Sequence, residues 1–397
     1  MPDTPIPRVR PELPILALGF RPFFLAAGLS AVLTLLVWLA MLHGAVAMDG
    51  YYAGTTWHAH ELLFGYGLAV IAGFLLTAVR NWTGLATATG AELGALVLLW
   101  TLGRVAPLLP LPAVLVAILD LSFPALLALS LFKPLWQGPN PANRAFLALL
   151  GGMCLAALLV HLQALGLTAR TALAGDRLML GLILLTLLVV AGRVMPFFTR
   201  TAIPDTAPRS NPWVERLTFG LALLWVAADS LTQLGLPVAL PAALLALSLA
   251  LVQGLRLAGW HDRRVWGIPM LAVLYSGYLW LILGLTLNGL AHLGLLQPFP
   301  ALHALTIGAI GAFTLGMMAR VTLGHTGRPM VASRLTVIAF AALNLAALVR
   351  VFGPLAWPWA YSAWLIGSGV LWVLAFGLFL WVYAPMLVRP RADGRPG

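Results

Sequence analysis

Phe23-Phe-Leu-Ala-Ala-Gly-Leu-Ser-Ala-Val-Leu-Thr-Leu-Leu-Val-Trp-Leu-Ala-Met-Leu42 is apolar on every side and carries no charge. About 20 residues is the length of helix that crosses a bilayer. Lipid offers the backbone no hydrogen-bond partners, so such a run must satisfy its own N–H and C=O groups as a helix. Leu178–Val190 and Thr336–Val349 read the same way.

The rest of the chain follows these stretches. Hydrophobic residues make up 61% of 397 and charged residues 9%, with a mean hydropathy of +0.96. A soluble domain carries roughly 25% charged residues, and this chain could not cover a surface with so few. The same scarcity excludes an outer-membrane barrel with a polar lumen. Pro and Gly punctuate the junctions, as at Pro110/Pro112, Pro139-Asn140-Pro141, Pro208 to Pro212 and Pro298/Pro300.

They divide the chain into about twelve spans, over 23–43, 58–79, 91–109, 112–132, 143–165, 178–199, 213–235, 238–256, 267–293, 300–322, 332–350 and 356–384. The expected fold is an all-α integral membrane protein. A segment 1–20 precedes one twelve-helix domain over 21–385, and a basic tail covers 386–397. The polar lead and first apolar run are both too long for a usual signal peptide, so the first span reads as a retained helix.

The formal charge of +11 would suggest nucleic acid in a soluble protein. Here the basic residues sit in short loops, and topology explains them without a nucleic-acid partner. Twelve spans with cytoplasmic termini put 18 Lys and Arg on the inner side and 4 on the outer, with Arg193 inside a helix. The one cysteine, Cys154, allows no disulfide, no thiolate metal cage and no covalent haem attachment.

That topology sorts the histidines. His43, His58, His60, His161, His292 and His303 fall at the outer face, and His261 and His325 at the inner one. For His43, His161 and His292 an interfacial role is the first expectation, because polar tips at helix ends stay wet. Trp57-His58-Ala59-His60-Glu61 is the densest polar group. Residues two apart on a helix point about 200° apart, so His58 and His60 do not converge on one metal. Glu61 is placed to orient an imidazole from behind.

The tenth span carries His303, Thr306, Thr314 and Met317 beside a stripe of Ala304, Gly308, Ala312 and Gly316, which admits a neighbouring helix or a flat macrocycle. His303 and His325 are 22 residues apart, roughly 33 Å of helix, and cannot share a centre. His325 reads first as part of a helix C-terminus in Gly324-His-Thr-Gly-Arg328. Ionisable groups inside a membrane default to functional hypotheses. Asp120 and Asp229 are mid-span, each expected to find an Arg partner or a proton path. Arg193 and Arg320 lie near the inner ends, where they can snorkel.

The second, sixth and tenth spans end in loosely similar strings, Ala78-Val79…Thr83-Gly84, Arg193-Val194…Thr199-Arg200 and Arg320-Val321…Thr326-Gly327. They hint at three repeats of four helices.

Gly19-Phe-Arg-Pro-Phe-Phe24, Trp57-His-Ala-His-Glu61, Gly73-Phe-Leu-Leu-Thr77, Asn81-Trp-Thr-Gly84 and Pro196-Phe-Phe-Thr199 together resemble the NnrS family, as do His303-Ala-Leu-Thr306 and Leu323-Gly-His-Thr-Gly-Arg328. Arg80 stands where that pattern has Pro. The resemblance implies a bacterial cytoplasmic (inner) membrane protein containing haem b and copper, connected with nitric oxide and with resistance to nitrosative stress. It does not assign histidines to metals. On the residues themselves, His58 or His60 is expected to pair with His303, with Glu61, Thr306 and Trp57 behind them and His325 and Met317 as lesser metal candidates.

No reaction follows, because the adjacent His-His pair of respiratory oxidases is missing and the sixth span has no histidine. The alternative is a twelve-helix secondary transporter without a redox cofactor. A purely structural subunit leaves the His-x-His-Glu group unexplained.

Overall fold

A computed structural model describes residues 13–46, 50–52 and 54–395. The proline- and arginine-rich start of the chain therefore lies outside the described residues up to position 12. The described residues form twelve long helices and no strand. In chain order these are α1 (Phe20–Leu42), α2 (Gly54–Thr83), α3 (Gly90–Leu108), α4 (Ala113–Gln137), α5 (Pro141–Ala164) and α6 (Thr171–Ala202). There follow α7 (Pro212–Gln233), α8 (Ala239–Trp260), α9 (Pro269–His292), α10 (Pro298–His325), α11 (Arg334–Ala356) and α12 (Pro358–Val388).

Eleven of them are long and apolar enough to cross a membrane. The exception, α7, has 22 residues but includes Glu215, Arg216 and Asp229. The chain is a multi-pass membrane protein, and a lipid bilayer is its solvent.

The packing repeats every four helices. α1 packs on α2, α5 on α6 and α9 on α10, while α4 packs on α5, α8 on α9 and α12 back on α1, which closes the ring. α2, α6 and α10 sit at the middle: 78%, 72% and 72% of their most apolar stretches are buried, against 28% for α1. α2 and α10 also end alike, at Gly84 and Gly327, each with φ of +69°. Both glycines follow a threonine and take the left-handed conformation that stops a helix.

The two small-residue stripes serve helix packing. A Cβ on Gly308 would lie 2.5 Å from Trp280 of α9, and one on Gly316 2.6 Å from Val273 of the same helix. A Cβ on Gly73 would lie 2.9 Å from the Phe24 ring of α1. Neighbouring helices occupy both stripes, so the macrocycle reading of the α10 stripe falls.

Because successive helices are antiparallel, the starts of α2, α4, α6 and α10 share one face with the ends of α3, α5, α7, α9 and α11. That face holds the candidate site. At the opposite face Arg21 donates to the carbonyls of Leu387 (2.9 Å) and Arg389 (2.8 Å), and so caps the C-terminal end of α12. Arg391 of the tail donates to the His325 carbonyl at 2.8 Å.

Candidate metal centre

α2 and α10 share an unusual opening. Directly after their histidines, Glu61–Gly67 and Ala304–Gly311 are wound as wider π-helical turns. Such turns are rare and cluster at functional sites.

His58 and His60 diverge from their common turn, as their spacing requires. His60 is fully buried, and its Nε2 lies 3.1 Å from Asp120 Oδ2 of α4. His161, at the end of α5, donates from Nε2 to the same oxygen at 2.9 Å. Those three donor atoms lie within 4.8 Å of one another, and all three residues are buried.

Each donor is held from behind. Glu61 Oε1 sits 3.3 Å from His60 Nδ1. The Tyr51 hydroxyl lies 2.8 Å from His161 Nδ1. Arg104 of α3 donates to Glu61 Oε1 at 2.8 Å and pairs with Asp120 Oδ1. Two glycines make room for the pair: a Cβ on Gly65 would lie 3.2 Å from Arg104 Cδ, and one on Gly103 2.8 Å from Asp120 Oδ1. Tyr52, buried, brings its hydroxyl to 3.1 Å from His60 Nε2. The two tyrosines lie between α1 and α2. Burial pushes both phenols up, Tyr51 to about 12 and Tyr52 well above its ordinary value.

This arrangement can hold a cation. A neutral imidazole has one N–H, yet carboxylate oxygens face both nitrogens of His60. One ring proton cannot serve both. A second proton, a metal ion, or the Tyr52 hydroxyl donating to Nε2 satisfies them, and outward-facing Nε2 atoms with supported Nδ1 atoms are how metal-binding imidazoles are held.

His58 belongs to a different neighbourhood. Its ring stacks on Trp38 of α1 with centroids 4.5 Å apart, and its Nδ1 is buried with no hydrogen-bond partner, as is Trp57 Nε1. It lies within electrostatic reach of His303, and both feel Arg350 of α11. His303 Nδ1 donates to the Phe299 carbonyl at 2.8 Å, which leaves its Nε2 free. Of the two histidines it is His58 that lies within electrostatic reach of His303, while Glu61 stands beside His60 and Arg104.

The remaining sequence candidates separate. Thr306 donates to the Leu302 carbonyl one turn back, at 2.9 Å, and makes no hydrogen bond to His303. Met317 is buried 14 positions beyond His303, too far along α10 to share its ligand. His325 ends α10 at the opposite face, packs on Phe20 and lines a cavity of about 130 Å³ with Asn81, Trp82 and Arg193. Arg193 is held by Asn143 at 2.8 Å and lies over Trp82 and Phe146. Arg320 does not snorkel: it is buried over Phe198 and donates to the Met270 carbonyl.

The two mid-span acids differ. Asp120 has the expected Arg partner. Among the described residues Asp229 forms no ion pair with an arginine, although Arg177 lies within electrostatic reach, and it accepts from His292 at 2.7 Å and Asn288 at 3.1 Å.

His161 is the residue whose interfacial expectation fails. It is fully buried and holds a central place in the cluster. The signal available in the sequence was its position at the end of its span, together with Asp120 in the span before.

No curated protein matches this chain. A family model does: the family described as NnrS protein matches residues 14–391, nearly the whole length. The chain belongs to the NnrS family.

Proposed function

We propose that this is a haem- and copper-binding protein of the bacterial inner membrane that takes part in the response to nitric oxide and in resistance to nitrosative stress. In this reading the termini are cytoplasmic and the His60 face is outward, as the distribution of Lys and Arg implies. The observation that carries it is the buried convergence of His60, Asp120 and His161, within a chain whose family is nitric-oxide-related.

The residues offer donors for the two groups in separate places. Two imidazoles and a carboxylate are donors suited to a divalent first-row ion such as copper. A b-type haem needs axial histidines on facing helices. His58 of α2 and His303 of α10 would supply them: the unpartnered Nδ1 of His58 is one buried polar atom that protein neighbours leave unserved. Arg350, within reach of both, would balance the negative charge of a haem carboxylate. When bound, the haem supplies an iron that takes up small diatomic ligands. Around it the chain holds His58 in place through Trp38 and fixes the ring of His303 through the Phe299 carbonyl.

The experiment is an absorption spectrum, oxidised and reduced, with a copper assay on the same full-length protein in mild detergent. A b-type spectrum that shifts with nitric oxide, together with bound copper, is the expected result. A colourless, copper-free protein from haem-sufficient cells would overturn the reading in favour of a transporter.

A further inference from the structure

Three protein donors leave a first-row ion with an open coordination position. We infer that Tyr52 fills it, so that the ion held by His60, His161 and Asp120 has a phenolate oxygen as its fourth protein ligand. The inference rests on the metal reading above.

The geometry around His60 Nε2 carries it. Tyr52 Oη and Asp120 Oδ2 each lie 3.1 Å from that nitrogen, and His161 Nε2 lies 2.9 Å from the carboxylate oxygen. With metal–ligand bonds of about 2.0–2.2 Å, neighbouring donors in a coordination shell stand roughly 3 Å apart. The Tyr52–His60, His60–Asp120 and Asp120–His161 pairs already have that spacing. Tyr52 Oη has no hydrogen-bonding group other than His60 Nε2 among the described residues, and that nitrogen already faces Asp120. The Tyr51 hydroxyl is engaged behind His161 and cannot compete for the position.

The Tyr52 ring is also fixed. It lies over His60 with centroids 4.5 Å apart and packs edge-on to Tyr51 at 4.8 Å, and the residue is 2% exposed. The resulting donor set is two imidazole nitrogens and two anionic oxygens, with no sulfur. Such N,O sets favour Cu(II) over the softer Cu(I). On binding, the phenolic O–H bond breaks, the oxygen–copper bond forms and the proton leaves to water. No electron is transferred.

The test is resonance Raman and electron paramagnetic resonance on the full-length protein loaded with Cu(II), prepared with ordinary and with ring-deuterated tyrosine. The label moves only tyrosine modes, so haem bands do not mask them. Copper-enhanced phenolate modes are expected that shift with the label, survive Tyr51→Phe and vanish in Tyr52→Phe. Loss of a mere supporting residue weakens metal binding by about 10–100-fold, and loss of Tyr52 should weaken copper binding by at least the lower figure. Tyr52→His keeps a donor in place, and should retain copper with additional nitrogen coupling in the resonance spectrum.

Copper bound through His60 with no tyrosine modes, and a Cu(II) spectrum unchanged in both Tyr52 variants, would remove Tyr52 as a ligand and leave the three-residue site standing. Absence of copper from the wild-type protein would overturn the metal reading itself, and this inference with it.

Discussion

His161 Nε2 lies 2.9 Å from Asp120 Oδ2, although the two residues are 41 positions apart and neither stands in a recognisable motif. The bond ties the end of α5 to the first half of α4, and it brings the second imidazole to the oxygen that His60 already faces.

Asp120 is thus both a metal donor and the partner of Arg104. Asp120→Asn should abolish metal binding. Asp120→Ala should also destabilise the fold, because breaking a buried ion pair costs roughly 3–5 kcal/mol. Glu61 remains beside Arg104, so the lower end of that range is expected. Thermal unfolding in detergent, alongside metal content, measures both effects.

His58 and His60 should come apart functionally. His58→Ala and His303→Ala are expected to lose haem and keep copper. His60→Ala should lose copper and keep haem. A variant of either residue that lost both groups while retaining its helical circular dichroism would show the two neighbourhoods to be one site.

Glu61→Gln leaves the side chain in place and removes its charge. Its carboxylate orients His60 from behind, and loss of such support typically weakens metal binding by about 10–100-fold. Copper affinity measured by competition with a chelator should fall within that range. Asp229→Asn is the matched control. Asp229 sits among His292, Asn288 and Trp225, apart from the cluster, and its substitution should leave copper affinity unchanged.

Gly308→Ala tests the close approach of α10 to α9. The added methyl would stand 2.5 Å from the Trp280 ring, and overpacking of this kind costs about 1–3 kcal/mol. The melting temperature should fall while the copper site, built on α2, α4 and α5, keeps its spectrum.

The fold was legible because lipid simplifies the problem. An uncharged run of twenty residues leaves a backbone one way to satisfy itself, and segments such as 143–165 and 91–109 fall close to α5 and α3. The ends were less legible. α6 runs over Thr171–Ala202, well past the 178–199 that its apolar stretch marks, because helical hydrogen bonding continues through Asp176, Arg177 and Arg200. The divergence of His58 from His60 followed from helical geometry alone. The partners of His60 did not follow, because His161 and Asp120 are isolated residues on separate helices. Only the ring of helix contacts, in which α2 packs on α4 and α4 on α5, brings them to one point. The string repeat at the ends of α2, α6 and α10 falls on the three helices that are buried deepest.

The most direct test of the central claim is the copper content of His161→Ala, measured with that of the wild type on parallel preparations of equal helical content. The account predicts copper in the wild type and its loss in the variant, with haem retained in both. Copper retained in His161→Ala at wild-type affinity would contradict it, and would place the metal elsewhere in the chain.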